Sequence, residues 1–426
     1  MSLDEHRRPT SAAAADGAPA SAPDDAEVLI VGAGPAGLSL ACALAQQGLR
    51  VKLLERQPRA ALAEAAPDGR EIALTHRGVD ILERLGIWAR IPRDEVSTIR
   101  EARVLNGASP RALHFDSREA GTGGLGFLVP NHVIRRAAYA TAVAQAGVEI
   151  LDGVQPRKLV VDEEAAQVEL ADGRQLRARL LVAADSRLSD SRRQLGIGAD
   201  LRDFGRDVIV CHLGHALPHQ GIAYECFGHG RTLAMLPLTG NRVSAVLTAP
   251  SEEAERLRRL PPAEYARLLS EQFGGRLGAM QLLGERHSYP LVAVYAQQFV
   301  GQRCALIGDA AVGMHPVTAH GFNLGLYGVD ALSRALASAH REGLDLGAGR
   351  VLARYQSEHR RATAALYHGT NLLVGLYTDE RPPARFAREA LLGVANRLPP
   401  LKSAITRQLT GRGQELSWAP GRRLSK

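Results

Sequence analysis

The sequence predicts an α/β protein in which a nucleotide-binding domain with a parallel sheet is interrupted by a second, mainly antiparallel sheet. Three patterns support this prediction. An apolar run at 27–31 precedes a glycine cluster and a helix-forming segment, as expected for a buried parallel strand. Residues 201–294 alternate apolar and polar side chains more loosely, which is typical of antiparallel strands. The buried-strand pattern then returns at 303–311.

The amino-terminal elements predict a β-α-β unit. A strand at 27–31 is followed by a helix at 36–47, and Gly48 ends that helix because glycine readily adopts a left-handed backbone. A second strand follows at 50–55. Residues 1–25 are small, polar and contain proline, so we expect them to form a disordered tail.

The later elements follow from the same periodicities. Helices are predicted at 78–85, 131–146, 262–273 and 322–340. A strand meander is predicted from 148 to 185, with turns at Asp152-Gly153 and Asp172-Gly173. The predicted domains are a discontinuous nucleotide-binding domain at 26–100, 125–200 and 295–342, a substrate domain at 101–124 and 201–294, and a helical basic region at 343–426.

The charge of the chain is concentrated near its carboxyl end. The 426 residues carry a net charge of +7, but residues 381–426 contain ten basic and two acidic residues, so the rest of the chain is close to neutral. This distribution argues against a nucleic-acid partner. Apolar residues of the basic segment recur every four positions, which fits either an amphipathic helix on an anionic membrane surface or a helix packed on the protein itself.

The cysteines and the apolar runs indicate a cytoplasmic protein. The four cysteines have no paired spacing, so we expect reduced, buried thiols and no metal site. The uncharged stretch at 28–49 is interrupted by five glycine and proline positions and follows acidic residues, which argues against a signal peptide or a membrane span.

The segment GAGPAG is the strongest local motif. Gly32, Gly34 and Gly37 have the GxGxxG spacing directly after a strand and at the start of a helix. In this setting the glycines permit a tight turn, approach of a pyrophosphate and close helix packing. Glu55 ends the second strand, where a carboxylate can accept hydrogen bonds from ribose hydroxyls and disfavours a 2′-phosphate. The motif predicts binding of NAD or FAD.

A second motif lies near the end of the returning strand. Gly308-Asp309 ends the strand, and a glycine-containing turn precedes a helix that starts near Asn323. An aspartate at this point can hydrogen-bond a ribityl chain. Main-chain amides of 321–323 can stabilise negative charge on a flavin ring, because they lie at a helix N-terminus.

These motifs, in this order and at this separation, resemble the FAD-dependent aromatic monooxygenases of the para-hydroxybenzoate hydroxylase fold. Within that group the chain is most similar to the ubiquinone-biosynthesis hydroxylases of the UbiH/UbiM type, and to their UbiM branch. The resemblance covers about 27–341 and implies a Rossmann-like FAD-binding domain, an inserted mainly antiparallel β-sheet substrate domain and a carboxyl-terminal helical region. It assigns FAD to Gly32, Gly34, Ala36, Gly37, Glu55, Arg56, Arg70, Asn131, Asp185, Asp309, Pro316, Gly321, Phe322 and Asn323.

Two motifs depart from the family pattern. Ser186 replaces the glycine of the Asp-Gly motif at Asp185, and Ala319-His320 replaces the Gly-Gln pair before Gly321. Both departures resemble the UbiM branch. His320 is the candidate catalytic residue, because a neutral imidazole beside the flavin could accept a phenolic proton. A hydrogen bond that stabilises the loop is the alternative role.

The resemblance implies a reaction with O2 as co-substrate and an external reductant, for which NAD(P)H is a candidate. Reduced FAD would form a C4a-hydroperoxide that hydroxylates the ring of a polyprenylated ubiquinone precursor, with demethoxyubiquinol-type 5-hydroxylation favoured. The alternatives are a flavin reductase of isoprenoid double bonds, a hydroxylase of a small soluble phenol, and a membrane-associated interaction protein with structural FAD. A polyprenyl aromatic or quinol substrate is consistent with peripheral contact of 381–426 with the inner face of the cytoplasmic membrane.

Overall fold

The computed structural model describes residues 24–378 except 107–111, 119–120, 122, 229 and 315–320, together with residues 406–407 and 410–411. The strands, in chain order, are β1 (Ala26–Val31), β2 (Val51–Leu54), β3 (Glu71–Leu74), β4 (Ser97–Ile99), β5 (Glu101–Asn106), β6 (Ala112–Asp116), β7 (Gly126–Pro130), β8 (Val148–Leu151), β9 (Pro156–Val161), β10 (Ala166–Leu170), β11 (Gln175–Ala183), β12 (Ala199–His215), β13 (Ile222–Gly228), β14 (Arg231–Leu238), β15 (Arg242–Pro250), β16 (Met280–Ala296), β17 (Val300–Gly301), β18 (Cys304–Leu306) and β19 (Val312–Gly313). The helices are α1 (Pro35–Ala45), α2 (Arg59–Ala63), α3 (His76–Arg84), α4 (Asn131–Ala142), α5 (Asp190–Gln194), α6 (Ser251–Arg259), α7 (Pro262–Gln272), α8 (Gly321–Arg341) and α9 (Gly349–Thr378).

The first sheet is parallel at its centre. Strands β18, β11, β1, β2 and β8 lie side by side and run in the same direction, and β9 and β10 extend β11 as an antiparallel meander. Ile30, Leu53 and Val182 are opposite one another in register and fully buried, as expected for a sheet with helices on both faces. The predicted β-α-β unit and Rossmann-like core are confirmed.

The predicted meander is correct only in its second half. Asp172-Gly173 forms the turn between β10 and β11. Asp152-Gly153 does not join neighbouring strands, because β8 pairs with β2 and not with β9. Helix α4 precedes β8, and a strand that follows a crossover helix joins a parallel sheet. Alternation within each short strand does not reveal this choice of partner.

The second sheet has eight strands in the order β19-β16-β12-β15-β14-β13-β5-β6. Its pairs are antiparallel except for β13 with β5. Helices α6 and α7 cover one face, where Tyr265 and Phe273 are fully buried against strand residues such as Leu233. We call the opposite face the inner face. By register it carries Val208, Val210, His212, Ser244, Val246, Thr248, Thr232, Ala234, Leu236, Ala223, Glu225, Phe227, Ala102 and Val104.

A third, three-stranded sheet lies against the inner face. It has the order β3-β7-β4, and its residues Ile99 and Leu128 share an apolar cluster with Ala223 and Leu238 of the second sheet. The sequence patterns did not predict this small sheet. They also missed α6, because only Ala254 and Leu257 of that helix are buried and the rest of the segment, apart from Ser251, is charged.

The predicted helices at 36–47, 78–85, 131–146, 262–273 and 322–340 are confirmed as α1, α3, α4, α7 and α8, with ends that differ by a few residues. The strands of the second sheet lie at 101–116 and 199–313, but the proposed domain boundaries stay a prediction.

Two predicted terminal regions are described only in part. Residues 1–23 of the predicted tail lie outside the described residues, as do 379–405 and most of 406–426. Helix α9 falls within the predicted helical region. Thr406 and Thr410 are buried, and a Cβ on Gly411 would lie 2.9 Å from Thr75. This short part of the basic segment therefore packs against the body of the protein.

Candidate functional site

The glycines of the loop after β1 have three different surroundings. A Cβ on Gly32, which has a φ of +106°, would lie 2.6 Å from the carbonyl oxygen of Ala184. A Cβ on Gly37 would lie 2.0 Å from the carbonyl oxygen of Gly32. A Cβ on Gly34 would have no atom within 4 Å. Packing therefore requires Gly32 and Gly37, whereas Gly34 faces open space in which a ligand can approach the backbone.

The N-terminus of α1 is suited to an anion. Gly34 is its N-cap residue, no described side chain caps it, and its first turn contains no acidic residue. Ala36 lies in this turn opposite Gly308, since a Cβ on Gly308 would come within 3.0 Å of the Ala36 Cβ. Exposed amides at a helix N-terminus, next to a glycine without a side chain in the way, fit the pyrophosphate of a dinucleotide.

Glu55 is held in place by the same loop. Its Oε2 accepts a hydrogen bond from the Ala33 amide at 2.8 Å, and its Oε1 accepts one from the Gln57 amide at 2.9 Å. Each carboxylate oxygen keeps a second lone pair for a ribose hydroxyl. The predicted neighbour Arg56 is exposed. The ribose contact of Glu55 and the role of Arg56 stay predictions.

Arg70 and Asn131 meet at one carboxylate, that of Asp68. Arg70 donates to Asp68 through Nε at 2.9 Å, and Asn131 donates through Nδ2 at 2.7 Å. Although burial opposes it, these hydrogen bonds hold the pKa of Asp68 below its ordinary value. Tyr289 of the second sheet donates its hydroxyl to the Asp68 carbonyl at 2.7 Å. Two residues predicted to contact FAD therefore share one anchored cluster.

The Asp185 side chain forms hydrogen bonds within its own loop. It accepts hydrogen bonds from the Ser189 hydroxyl and, at 3.1 Å, from the Ser191 amide at the start of α5. Its Cα would lie 3.0 Å from a Cβ on Gly32, so the loop with Ser186 borders the glycine-rich turn. A direct contact between the Asp185 side chain and FAD stays a prediction.

Asp309 forms an ion pair that the sequence did not predict. Arg187 donates to Oδ2 of Asp309 from Nε at 3.3 Å and from Nη2 at 3.2 Å, and donates from Nη1 to the Val292 carbonyl at 2.7 Å. Asp309 remains 43% exposed. The only signal for Arg187 was its place two residues after Asp185 in the altered Asp-Gly motif. The ribityl contact predicted for Asp309 stays a prediction.

The Asn323 side chain fixes the N-terminus of α8. Its Oδ1 accepts from the Thr75 amide at 3.0 Å and the Thr75 hydroxyl at 3.1 Å, and its Nδ2 donates to the Ala73 carbonyl at 2.8 Å. The residue is fully buried. A flavin contact at this position would therefore use main-chain amides of 321–323, and that contact stays a prediction. Phe322 packs against the main apolar core.

The candidate catalytic residue His320, together with Pro316, Ala319 and His315, lies outside the described residues. One further acid-base pair, which the sequence did not predict, joins the third sheet to the second. His212 Nε2 lies 3.1 Å from Oε1 of Glu71, whose side chain is 2% exposed. Burial raises the pKa of Glu71, and the contact with His212 opposes that change.

The open glycine loop, the uncapped helix N-terminus and the acidic end of β2 form a dinucleotide-binding site, and together with the large second sheet they fit a flavoprotein of the FAD-dependent monooxygenase class. The chain belongs to the family described as FAD binding domain, whose model matches residues 25–370. Since Gly34 and α1 leave room and donors for a pyrophosphate, the residues present fit FAD.

Known proteins agree with this assignment. Ubiquinone hydroxylase UbiM of Neisseria meningitidis (serogroup C, serotype 2a) is 47% identical over 389 residues, which cover 90% of this chain and 84% of that protein. Ubiquinone hydroxylase UbiL of Rhodospirillum rubrum is 36% identical, with 92% and 91% covered. The crystal structure of pqsL from Pseudomonas aeruginosa, a probable FAD-dependent monooxygenase, has a TM-score of 0.73 at 26% identity, with 85% and 98% covered. The protein is an FAD-dependent monooxygenase, a class that uses O2 and a reductant.

No helix in the part of the chain that the structure describes is long and apolar enough to cross a membrane. Within the same residues, histidine, cysteine, aspartate and glutamate side chains form no group of three that could hold a metal ion.

Proposed function

We propose that the protein hydroxylates the aromatic ring of a polyprenylated ubiquinone precursor, with a demethoxyubiquinol-type ring and its carbon 5 favoured. The observation that supports this most is the 47% identity with a ubiquinone hydroxylase, because the 389 matched residues are numerous enough to include both large sheets. When bound and reduced, FAD supplies the activation of molecular oxygen for transfer to the ring.

The residues of this chain bind and orient the reactants. Main-chain amides of the glycine loop and α1 would hold the pyrophosphate, and Glu55 would hold the ribose. The N-terminus of α8, fixed by the contact of Asn323 with Thr75, would place main-chain amides beside the flavin pyrimidine ring. Electrostatic stabilisation of this kind requires rigidly held donors, and the buried Asn323 side chain would hold these amides in place.

The inner face of the second sheet would receive the substrate. It is mostly apolar and carries two apolar clusters, one with Phe115 and Leu236 and one with Val208 and Leu291. Such a surface excludes water from the reaction and accepts both an aromatic ring and an aliphatic chain.

Peripheral membrane contact through 381–426 is the second part of the proposal. Ten basic residues against two acidic ones would attract this segment to an anionic lipid surface, where a polyprenyl substrate resides. A truncation after Arg381 that keeps FAD but no longer binds vesicles containing anionic phospholipid would support the contact. Equal vesicle binding by the full and truncated chains would contradict it.

The reaction is tested in a bacterium that lacks its own ubiquinone ring hydroxylase. Expression of this chain under 18O2 should convert the accumulated quinone precursor into a product with one labelled oxygen on the ring, which mass spectrometry detects. The Gly34→Val variant, designed to exclude FAD, is the negative control. A product that gains two hydrogens per prenyl unit, or an unchanged precursor with only short soluble phenols hydroxylated, would contradict the proposal.

A further inference from the structure

Glu225 lies on the inner face of the second sheet, near the middle of β13. It is opposite Ala234 of β14 and Val104 of β5 in register. Its neighbours along the strand point the other way, since the Tyr224 ring packs edge-on against Phe273 at a centroid distance of 5.0 Å. The carboxyl is therefore directed away from the covering helices and toward the side on which the third sheet lies.

The position lies between the two apolar clusters of the inner face. One cluster contains Leu113 and Phe115 and packs against Val104, the β5 residue opposite Glu225. The other contains Val210 and packs against Val246. The side chains next to Glu225 on this face are small, since Ala234 is opposite it in register and Ala223 is two residues before it on β13. Glu225 therefore extends beyond both alanines and is the polar side chain at this point of an otherwise small and apolar surface.

The Glu225 carboxyl has no hydrogen bond or ion pair with any residue that the structure describes. Protein surrounds it, yet part of its surface remains accessible. This burial raises the pKa of Glu225 to about 8, so the group is largely uncharged at pH 7. Glu71, another enclosed carboxyl that meets this sheet, has His212 as its partner at 3.1 Å. A buried polar group without a partner is costly, and a ligand can supply the partner.

We propose that Glu225 recognises the substrate ring by hydrogen-bonding two neighbouring oxygen substituents, with its O–H as donor to one oxygen and its carbonyl oxygen as acceptor from the adjacent hydroxyl. The inference rests on the proposed ring hydroxylation and specifies its substrate class, a phenol with an alkoxy or hydroxyl group beside the hydroxyl. Only an uncharged carboxyl offers both a donor and an acceptor, which is the pattern that such a ring presents.

The charged groups near this face do not alter the assignment. The residues that lie in register with Glu225 across the strands from β5 to β12 cannot ionise; they are Val104, Ala234, Val246 and Val210. Of the ionisable side chains on the inner face, His212 pairs with Glu71, and His287 and Tyr289 lie on β16 beside β12. Arg206 and Arg242 share this face by register near the ends of their strands, and they donate to the carbonyl oxygens of Gly230 and Thr239. Arg103, on the reverse face of β5, lies over the Tyr224 ring and pairs with a glutamate of its own strand.

The test measures binding to the FAD-loaded enzyme from the change in flavin absorbance. The two probes are 2-methoxyphenol with a short prenyl chain and the same prenylbenzene without ring oxygens. Glu225→Gln keeps a donor and an acceptor, so we expect its Kd for the methoxyphenol to stay within about threefold of the wild-type value. Glu225→Leu should weaken that Kd by roughly 10- to 100-fold and leave the Kd of the oxygen-free probe unchanged.

A pH series provides a second measurement, and its result would not depend on pH in this way if Glu225 only contributed to packing. Wild-type affinity for the methoxyphenol should fall as the pH rises through about 8, where Glu225 ionises, and Glu225→Gln should show no such step. The same change in Kd for both probes in Glu225→Leu, a large loss of affinity in Glu225→Gln, or a pH step shared by the wild type and Glu225→Gln would overturn the inference. If the wild type binds as expected but adds no oxygen to any ring, the proposed reaction fails and the recognition role stands.

Discussion

Asp309 and Arg187 are joined by two hydrogen bonds of 3.3 and 3.2 Å to one carboxylate oxygen, Oδ2. Arg187 also donates to the Val292 carbonyl of the second sheet. The carboxylate predicted to contact the flavin ribityl chain thus also bonds the arginine that links the loop after β11 to the second sheet.

This dual role gives a prediction with a matched control. Asp309→Ala should purify with little flavin, because the ribityl contact is lost. Arg187→Met removes the ion pair but leaves the Asp309 carboxylate, so its flavin content should remain close to that of the wild type. The ratio of flavin to protein absorbance measures both. Full flavin content in Asp309→Ala would refute the assigned contact, and equal loss in both variants would assign the effect to the ion pair.

Two glycines of the loop after β1 have different roles, since Gly34 is assigned to ligand binding and Gly37 to packing. Gly34→Val places its side chain in open space, so the fold should keep its Tm without flavin while FAD affinity falls about tenfold or more. Gly37→Ala places a Cβ 2.0 Å from the Gly32 carbonyl oxygen and should lower the free energy of unfolding by about 1–3 kcal/mol. Thermal unfolding of apoprotein and FAD titration give the two values. A Gly34 variant that binds FAD normally would contradict the pyrophosphate assignment.

The contact of Asn323 with the β3–α3 turn should contribute strongly to stability. Asn323→Leu leaves the buried Thr75 amide and Ala73 carbonyl without their side-chain partner, so we expect a loss of about 2–5 kcal/mol in the free energy of unfolding. Gly78→Ala should also destabilise, because its Cβ would lie 2.5 Å from the Asn323 Oδ1. Urea unfolding of the holoenzyme measures both. With Asn323→Ala in place of the leucine variant, the double variant with Gly78→Ala should cost less than the sum of its two single variants, because Asn323→Ala removes the oxygen that a Cβ on residue 78 would meet.

His359 makes the stability of the α8–α9 pair dependent on pH. It is buried beside Gly328, whose added Cβ would lie 2.8 Å from the His359 Nε2, and it stacks on Tyr355. Burial lowers the pKa of His359 from 6.5 to about 3. As the pH falls, His359 takes up a proton in the unfolded chain before it does so in the folded protein. The contribution of neutral His359 to the free energy of unfolding is therefore complete above pH 6.5 and is lost as the pH falls toward 3.

Between pH 6.5 and 3, protonation of His359 should lower the free energy of unfolding by at most about 1.4 kcal/mol per pH unit. His359→Phe keeps an aromatic ring on Tyr355 and cannot take up a proton, so its unfolding free energy should fall less steeply between pH 6.5 and 4. Chemical unfolding at several pH values compares the two slopes. Identical slopes for wild type and variant would show that His359 does not titrate as described.

Several parts of the site could be predicted from the sequence because their signals are local. The apolar run before Gly32, the GxGxxG spacing and Glu55 lie within one β-α-β unit, and each residue's role depends on neighbours close in sequence. The main helices were predicted for the same reason. Helix α6 was missed because its segment is charged and buries little.

The remainder depends on contacts between distant segments. Asn323 and Thr75 are 248 residues apart, and Arg187 and Asp309 are 122 apart, so no spacing rule joins them. A strand's alternation shows that Glu225 shares a face with Ala223, but not which face the helices cover. By itself the sequence determined the cofactor loop and the class of fold, because short-range patterns specify both. Only the tertiary structure decided which polar side chains meet at the site, because the pairing of strands and the packing of α6 and α7 select the inner face.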